Sequence, residues 1–122
     1  MALDITLNVS GTQEFKQALT RFDARMTEQV QRQLREWAEA VKVSAEKRVP
    51  VRTGNLRNSI YAKVTDWVAE VGADATYAVA VEFGTRYMRA RPFLFPSVQE
   101  ALPQLESVIS QAIESAKREA GL

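Results

Sequence analysis

An α+β fold is the class this 122-residue sequence predicts, and three observations point to it. Residues Leu3 to Val9 alternate, with Leu3, Ile5, Leu7 and Val9 on one side and Asp4, Thr6 and Asn8 on the other. That period of two belongs to a strand buried on one face. From Phe15 the apolar residues recur every three or four positions, through Leu19, Phe22, Met26, Val30, Leu34, Trp37, Val41 and Ala45, as along one face of a long helix. A pair of short alternating runs, Ile60-Ala62-Val64 and Trp67-Ala69-Val71, flanks Thr65-Asp66 as a hairpin does. With 46% hydrophobic residues the chain can bury roughly two-thirds of its unfolded surface, which suits a single domain over 1–122.

Taken in order, Ser10-Gly11-Thr12 breaks the first strand, and the long amphipathic helix that follows runs for about nine turns. Its polar face mixes both signs of charge, Arg32 with Glu36 and Glu39 near Arg35, Lys42 and Glu46, the mark of a solvated surface. Trp37 and Trp67 fall on buried faces by period. Pro50 ends the helix, because its ring clashes with the preceding turn and drives Val49 toward extended geometry. In "VPVRTGNLRNSI", residues 49–60, Thr53 can cap the next turn through its hydroxyl, Gly54 can take a positive φ, and Leu56 and Ile60 point back to the core. After the hairpin, Gly72 closes the second run. Tyr77, Val79, Val81 and Phe83 alternate like a strand, yet Asp74 is a candidate N-cap and Gly84 a candidate C′ residue. The helix is the favoured reading. From Pro96 a helical period returns through Val98, Leu102, Leu105, Ile109, Ala112 and Ala116 up to Gly121, with a kink or restart expected at Pro103. The predicted architecture is therefore N-terminal strand, long amphipathic helix, β-hairpin, short helix and C-terminal helix, packed on a small, mainly antiparallel sheet.

Chemistry is sparse. The chain has no cysteine and no histidine, so thiolate catalysis, disulfides, the commonest general base and the commonest transition-metal ligand are all missing. The carboxylates are scattered singly. Ser59 and Lys63 are the nearest nucleophile and base, and on a strand they stand about 13 Å apart, too far for proton transfer. No enzyme, cofactor, metal or small-molecule substrate is expected. The net charge is +1, with +1 over residues 1–49, +2 over 50–96 and −2 over 97–122, less basic than a general nucleic-acid binder. No run of 18 apolar residues and no basic-then-apolar leader occurs, so neither a membrane span nor a secretory signal is expected.

A second punctuated segment, "VEFGTRYMRARPFLFP" from Val81 to Pro96, has the composition of a contact surface. Gly84 breaks the chain after Glu82 and Phe83. Thr85, Arg86, Tyr87, Met88, Arg89 and Arg91 then lead to Pro92 and Phe93, an arginine and aromatic mixture typical of interface hot spots. Arginine forks can also grip phosphate, so contact with a passing nucleic acid is the alternative reading. Glu82 has three candidate roles: a local cap, an internal salt bridge with Arg91, or a pair with an arginine across a subunit contact.

At these residues the sequence resembles a known family. Thr53-Gly54, Leu56, Ser59-Ile60, Gly72, Tyr77-Ala78, Val81-Glu82-Phe83-Gly84-Thr85 and Arg91-Pro92-Phe93-Leu94, in this spacing, are similar to the tail-component family of long-tailed double-stranded DNA bacteriophages. The resemblance covers about residues 12–118. This chain departs from it in having Arg52, where many relatives carry an acidic residue, and Pro103 within the last helix. The resemblance implies a small neck or tail-completion protein of head–tail joining, without catalysis. Such a protein would form a ring with copies of itself, contact neighbouring head-connector or tail proteins, and reside in the virion after assembly in the host cytoplasm. A ring of identical subunits needs two different contact patches on each one. The expected patches are the 82–96 segment and the outer face of the long helix near Trp37.

Overall fold

The computed structural model describes residues 3–11, 13–51 and 53–119; Thr12, Arg52 and Gly121, used above, lie outside them. Three strands, β1 (Leu3–Asn8), β2 (Ile60–Thr65) and β3 (Val68–Ala73), form an antiparallel sheet in the order β1-β3-β2. Ile5 and Ala62 both sit opposite Val71, and this register gathers Leu3, Ile5, Leu7, Ile60, Ala62, Val64, Ala69, Val71 and Ala73 on one face. Alternation alone specifies that face, because a one-residue slip would turn every apolar side chain to water.

Three details of the sheet differ from expectation. β1 stops at Asn8, and Val9 enters a single 3-10 turn (Val9–Gly11) while its N–H donates to the Trp67 carbonyl at 2.9 Å. The hairpin turns at Asp66-Trp67, not Thr65-Asp66, with Asp66 at φ 52, a left-handed conformation that aspartate tolerates better than most residues. Trp67 thereby leaves the strand and meets Phe15 and Phe22 edge to face, at centroid distances of 5.4 and 5.9 Å. Finally, β3 continues through Gly72 to Ala73. Gly72 is a close-approach residue, since a Cβ there would stand 2.5 Å from the Leu3 carbonyl oxygen and 2.6 Å from the Tyr61 hydroxyl.

The long helix is two helices. α1 (Gln13–Leu19) ends where the Thr20 hydroxyl donates back to the Gln17 carbonyl at 2.7 Å. α2 (Ala24–Arg48) begins anew at Asp23, whose extended backbone and carboxylate cap the Met26 N–H at 2.8 Å. Asparagine, aspartate, serine and threonine compete with helical hydrogen bonding in this way. The apolar period crosses the break unbroken because Phe22 folds back on Phe15, 6.0 Å away and edge to face. α2 lies against β2, β3 and the last helix, and α1 against the last helix as well. Its buried residues, Val30, Leu34, Trp37, Ala38, Val41 and Ala45, make a stripe wide enough to serve both neighbours. Of the charge pairs expected on its surface, Lys42 and Glu39 come within 3.9 Å.

Val49 leaves α2 extended, at ψ 136, as the residue before Pro50 must. Gly54, at φ 86, opens the one-turn helix α3 (Asn55–Asn58), and Leu56 and Ile60 are buried as expected. α4 (Ala78–Phe83) confirms the helical reading of that segment, although Tyr77, not Asp74, occupies the cap position. α5 (Leu94–Glu119) starts two residues before Pro96 and passes Pro103 without restarting. Pro103 and Gln99 are both exposed, so the carbonyl deprived of its amide donor faces the solvent side, where water can satisfy it.

Candidate functional site

The segment between α4 and α5 is built on Gly84 and Glu82. Gly84 ends α4 at φ 80, with its N–H donating to the Ala80 carbonyl. A Cβ at this position would lie 2.8 Å from the Ala90 nitrogen, so the loop can fold back over it only because the residue is glycine. Thr85 and Met88 then exchange backbone hydrogen bonds of 2.8 and 3.3 Å, and the Thr85 hydroxyl accepts from Tyr87 N–H at 3.1 Å. This tight turn projects Arg86 and Tyr87. Tyr87 is 90% exposed, with the Arg86 guanidinium 6.0 Å from its ring centroid. On the return path Arg91 N–H donates to the Val81 carbonyl at 2.8 Å.

Glu82 anchors the far end. It is 3% exposed, and its carboxylate accepts from the N–H groups of Phe93 (3.1 Å), Leu94 (2.9 Å) and Phe95 (3.2 Å), the first amides of α5. A helix N-terminus is where a buried carboxylate is best accommodated, because the free amides and the helix dipole both favour negative charge. Glu82 therefore takes the local-cap role among its three candidates, with backbone amides as partners instead of the Arg91 guanidinium. Phe93 is fully buried. These two residues, expected at a contact surface, are internal to the subunit. The remainder, Phe83, Thr85, Arg86, Tyr87, Met88, Arg89 and Arg91, are exposed.

The structure brings the two punctuated segments together. A groove of about 590 Å³ is lined by Pro50, Thr53, Gly54 and Leu56 from one, and by Val81, Met88 and Arg91 from the other, with Tyr77 between them. The Thr53 hydroxyl is only a marginal cap, 3.4 Å from Asn55 N–H. Pro92 is exposed just ahead of α5. Among the described residues, every large apolar side chain that stands exposed, except Val43, is either Val51 or lies between Tyr77 and Phe95. Such concentration on a small domain makes this region the candidate contact surface. Sequence reasoning missed Val51, Tyr77 and Val79, and placed Phe95 in the expected 82–96 patch without singling it out. Once α4 is a helix, Val79 and Phe83, four apart, share its outer side while Ala78, Val81 and Glu82 face inward. The signal was present in the spacing but hidden by the alternative strand reading.

Among the described residues no group of three His, Cys, Asp or Glu side chains could hold a metal, and no helix is long and apolar enough to cross a membrane. The Ser59 hydroxyl donates to the Leu56 carbonyl at 2.7 Å, as part of the α3 cap. Lys63 pairs with Glu70 at 3.4 Å on the outer face of the sheet. There the Tyr61 hydroxyl donates to Glu70 at 2.7 Å. Burial and the neighbouring Glu70 carboxylate push the tyrosine pKa upward, while the same hydrogen bond, with Lys63, holds Glu70 below its ordinary value.

The fold and surface define a small α+β protein whose distinctive feature is a braced, projecting loop. The family model described as "Bacteriophage HK97-gp10, putative tail-component" matches residues 13–84, more than half of the chain. The protein belongs to this family of bacteriophage tail components, and its role is that of a structural component. No curated protein and no solved structure matches the chain.

Proposed function

We propose that this single-domain protein completes the phage tail or joins it to the head, without catalysis, as one subunit of a ring of identical copies. Membership of the tail-component family supports a place in the virion and contact with other phage structural proteins. The observation that carries the reading further is the gathering of exposed apolar side chains at Val51 and between Tyr77 and Phe95 around the Arg86-Tyr87 tip. A subunit working by adhesion needs such a patch. A small interface of this kind is weak between free copies and adequate once a tail tube or head connector supplies neighbours, so the chain would remain free in the host cytoplasm until assembly. No cofactor, membrane or small-molecule substrate enters this role.

Removing the gene tests it. Full heads and finished-looking tails left unjoined are the expected outcome, and tails of uncontrolled length would instead indicate a tail-length terminator. Fully infectious particles lacking the protein would refute the proposal. A second reading has its own support: Arg86, Arg89 and Arg91 are exposed and form no ion pair among the described residues, so they are free to touch phosphates of the passing genome. DNA binding that falls steeply with salt and disappears in the Arg86→Ala, Arg89→Ala double variant would establish it; absence of binding at low salt removes it.

A further inference from the structure

We propose that the acceptor for the Arg86-Tyr87 tip is a groove between α2 and α5 on the next copy of this chain. The inference rests on the ring reading above and adds the second patch that a head-to-tail ring requires. The groove measures about 500 Å³, within the range of sites that enclose a substantial side chain or ligand. Trp37, Ala40, Ala101 and Val108 supply its apolar lining, and Glu36 and Glu100 are the charged residues of its wall, with no lysine or arginine among the lining residues. Trp37 is held in place by its indole N–H, which donates to the Ala101 carbonyl of α5 at 2.7 Å. The groove is therefore a preformed feature of two helices tied together.

Charge complementarity selects the occupant. The loop from Gly84 to Phe93 contains three arginines and no carboxylate, whereas two carboxylates line the groove and the cation at its edge, Arg48, is engaged with Ser44, Ser97 and Glu100. Glu100 is partly neutralised by its ion pair with Arg48. Glu36 has no ion-pair partner among the described residues and presents the free charge. The other apolar groove, beside Gly54 and Tyr77, contains Arg91 and no carboxylate, so it would repel an arginine-bearing tip. That argues against this groove as the acceptor and for the one between α2 and α5. Tyr87, at 90% exposure, is not seated in its own chain. In the groove its ring would stack against apolar wall while Arg86 faces Glu36, the amphipathic arrangement in which tyrosine and arginine contribute most at interfaces.

The chain lacks cysteine, which makes a crosslinking test clean. Ala40 is exposed in the groove, so Ala40→Cys is combined with Tyr87→Cys in phage particles, with Thr6→Cys plus Tyr87→Cys on the sheet's outer face as control. Oxidation should give dimers and higher multiples of this chain in the first case and none in the control. A charge exchange guards against loss of assembly through Tyr87 itself. Arg86→Glu alone and Glu36→Arg alone should each lower infectious titre about tenfold or more, since like charges then meet across the contact, and the two together should restore it. Assembled, infectious particles with no such crosslink, crosslinks to a different tail protein, or failure of the double variant to recover would overturn this inference. The tail role would survive those results; it fails only if particles without the protein are infectious.

Discussion

Replacing Glu82 by alanine should be among the most damaging single changes in this protein. The substitution strips three N–H groups at the start of α5 of their acceptor and leaves a small void where the buried carboxylate lay. A lost helix cap costs about 1 kcal/mol, and hydrogen bonds to a charged group contribute about 1.5–3 kcal/mol each. The three do not add, because they share one carboxylate and the freed amides can recruit water if the loop opens. A total of about 3–5 kcal/mol, more than one such hydrogen bond and less than the sum of three, is the reasonable figure. Glu82→Gln keeps one acceptor oxygen and loses the charge that the helix dipole favours, so about 1–2 kcal/mol is expected. For a domain of this size each kcal/mol moves the melting temperature by about 4 °C. Thermal unfolding followed by circular dichroism should thus place the alanine variant roughly 12–20 °C below the parent and the glutamine variant about 4–8 °C below. An alanine variant melting within about 2 °C of the parent would refute the cap argument. If that variant also failed to join particles, the carboxylate would belong to a subunit contact after all.

Gly84→Ala combines a φ of 80 with a Cβ 2.8 Å from the Ala90 nitrogen and should cost about 2 kcal/mol or more by urea unfolding; a neutral result would mean that the loop does not fold back as described. Thr53→Ala should change stability by less than about 0.5 kcal/mol, because the 3.4 Å contact to Asn55 N–H is too long for a strong cap, and a loss near 1 kcal/mol would indicate a closer bond in solution. Tyr61→Phe should raise the Glu70 pKa, as read by carbon-13 NMR titration. Because Glu70 is held below its ordinary 4.5, its contribution is present above that pH and is lost as pH falls through the folded value, so parent and variant should converge in acid. The raised Tyr61 pKa has the opposite sense: its contribution is full below the ordinary 10.0 and is lost as pH rises beyond it. An unchanged Glu70 titration would refute the hydrogen bond.

Local pattern alone sufficed for the α+β class, for β1 and the hairpin, for the end of α2 at Pro50 and for the left-handed Gly54, because side-chain period and glycine or proline stereochemistry act over a few residues. The two punctuated segments were legible for the same reason. Tertiary structure decided the rest. The break at Thr20–Asp23 escaped the apolar period because Phe22 returns to Phe15 and Trp67, so core contacts keep their spacing while the backbone stops being helical. The partner of Glu82 lies 11 to 13 residues away and is a row of backbone amides, which no side-chain pattern encodes. The meeting of Pro50 and Gly54 with Met88 and Arg91 in one groove depends on where the fold places two segments more than thirty residues apart in the chain. Periodicity says which face of an element is apolar; only packing in three dimensions determines which distant groups share the space beneath it.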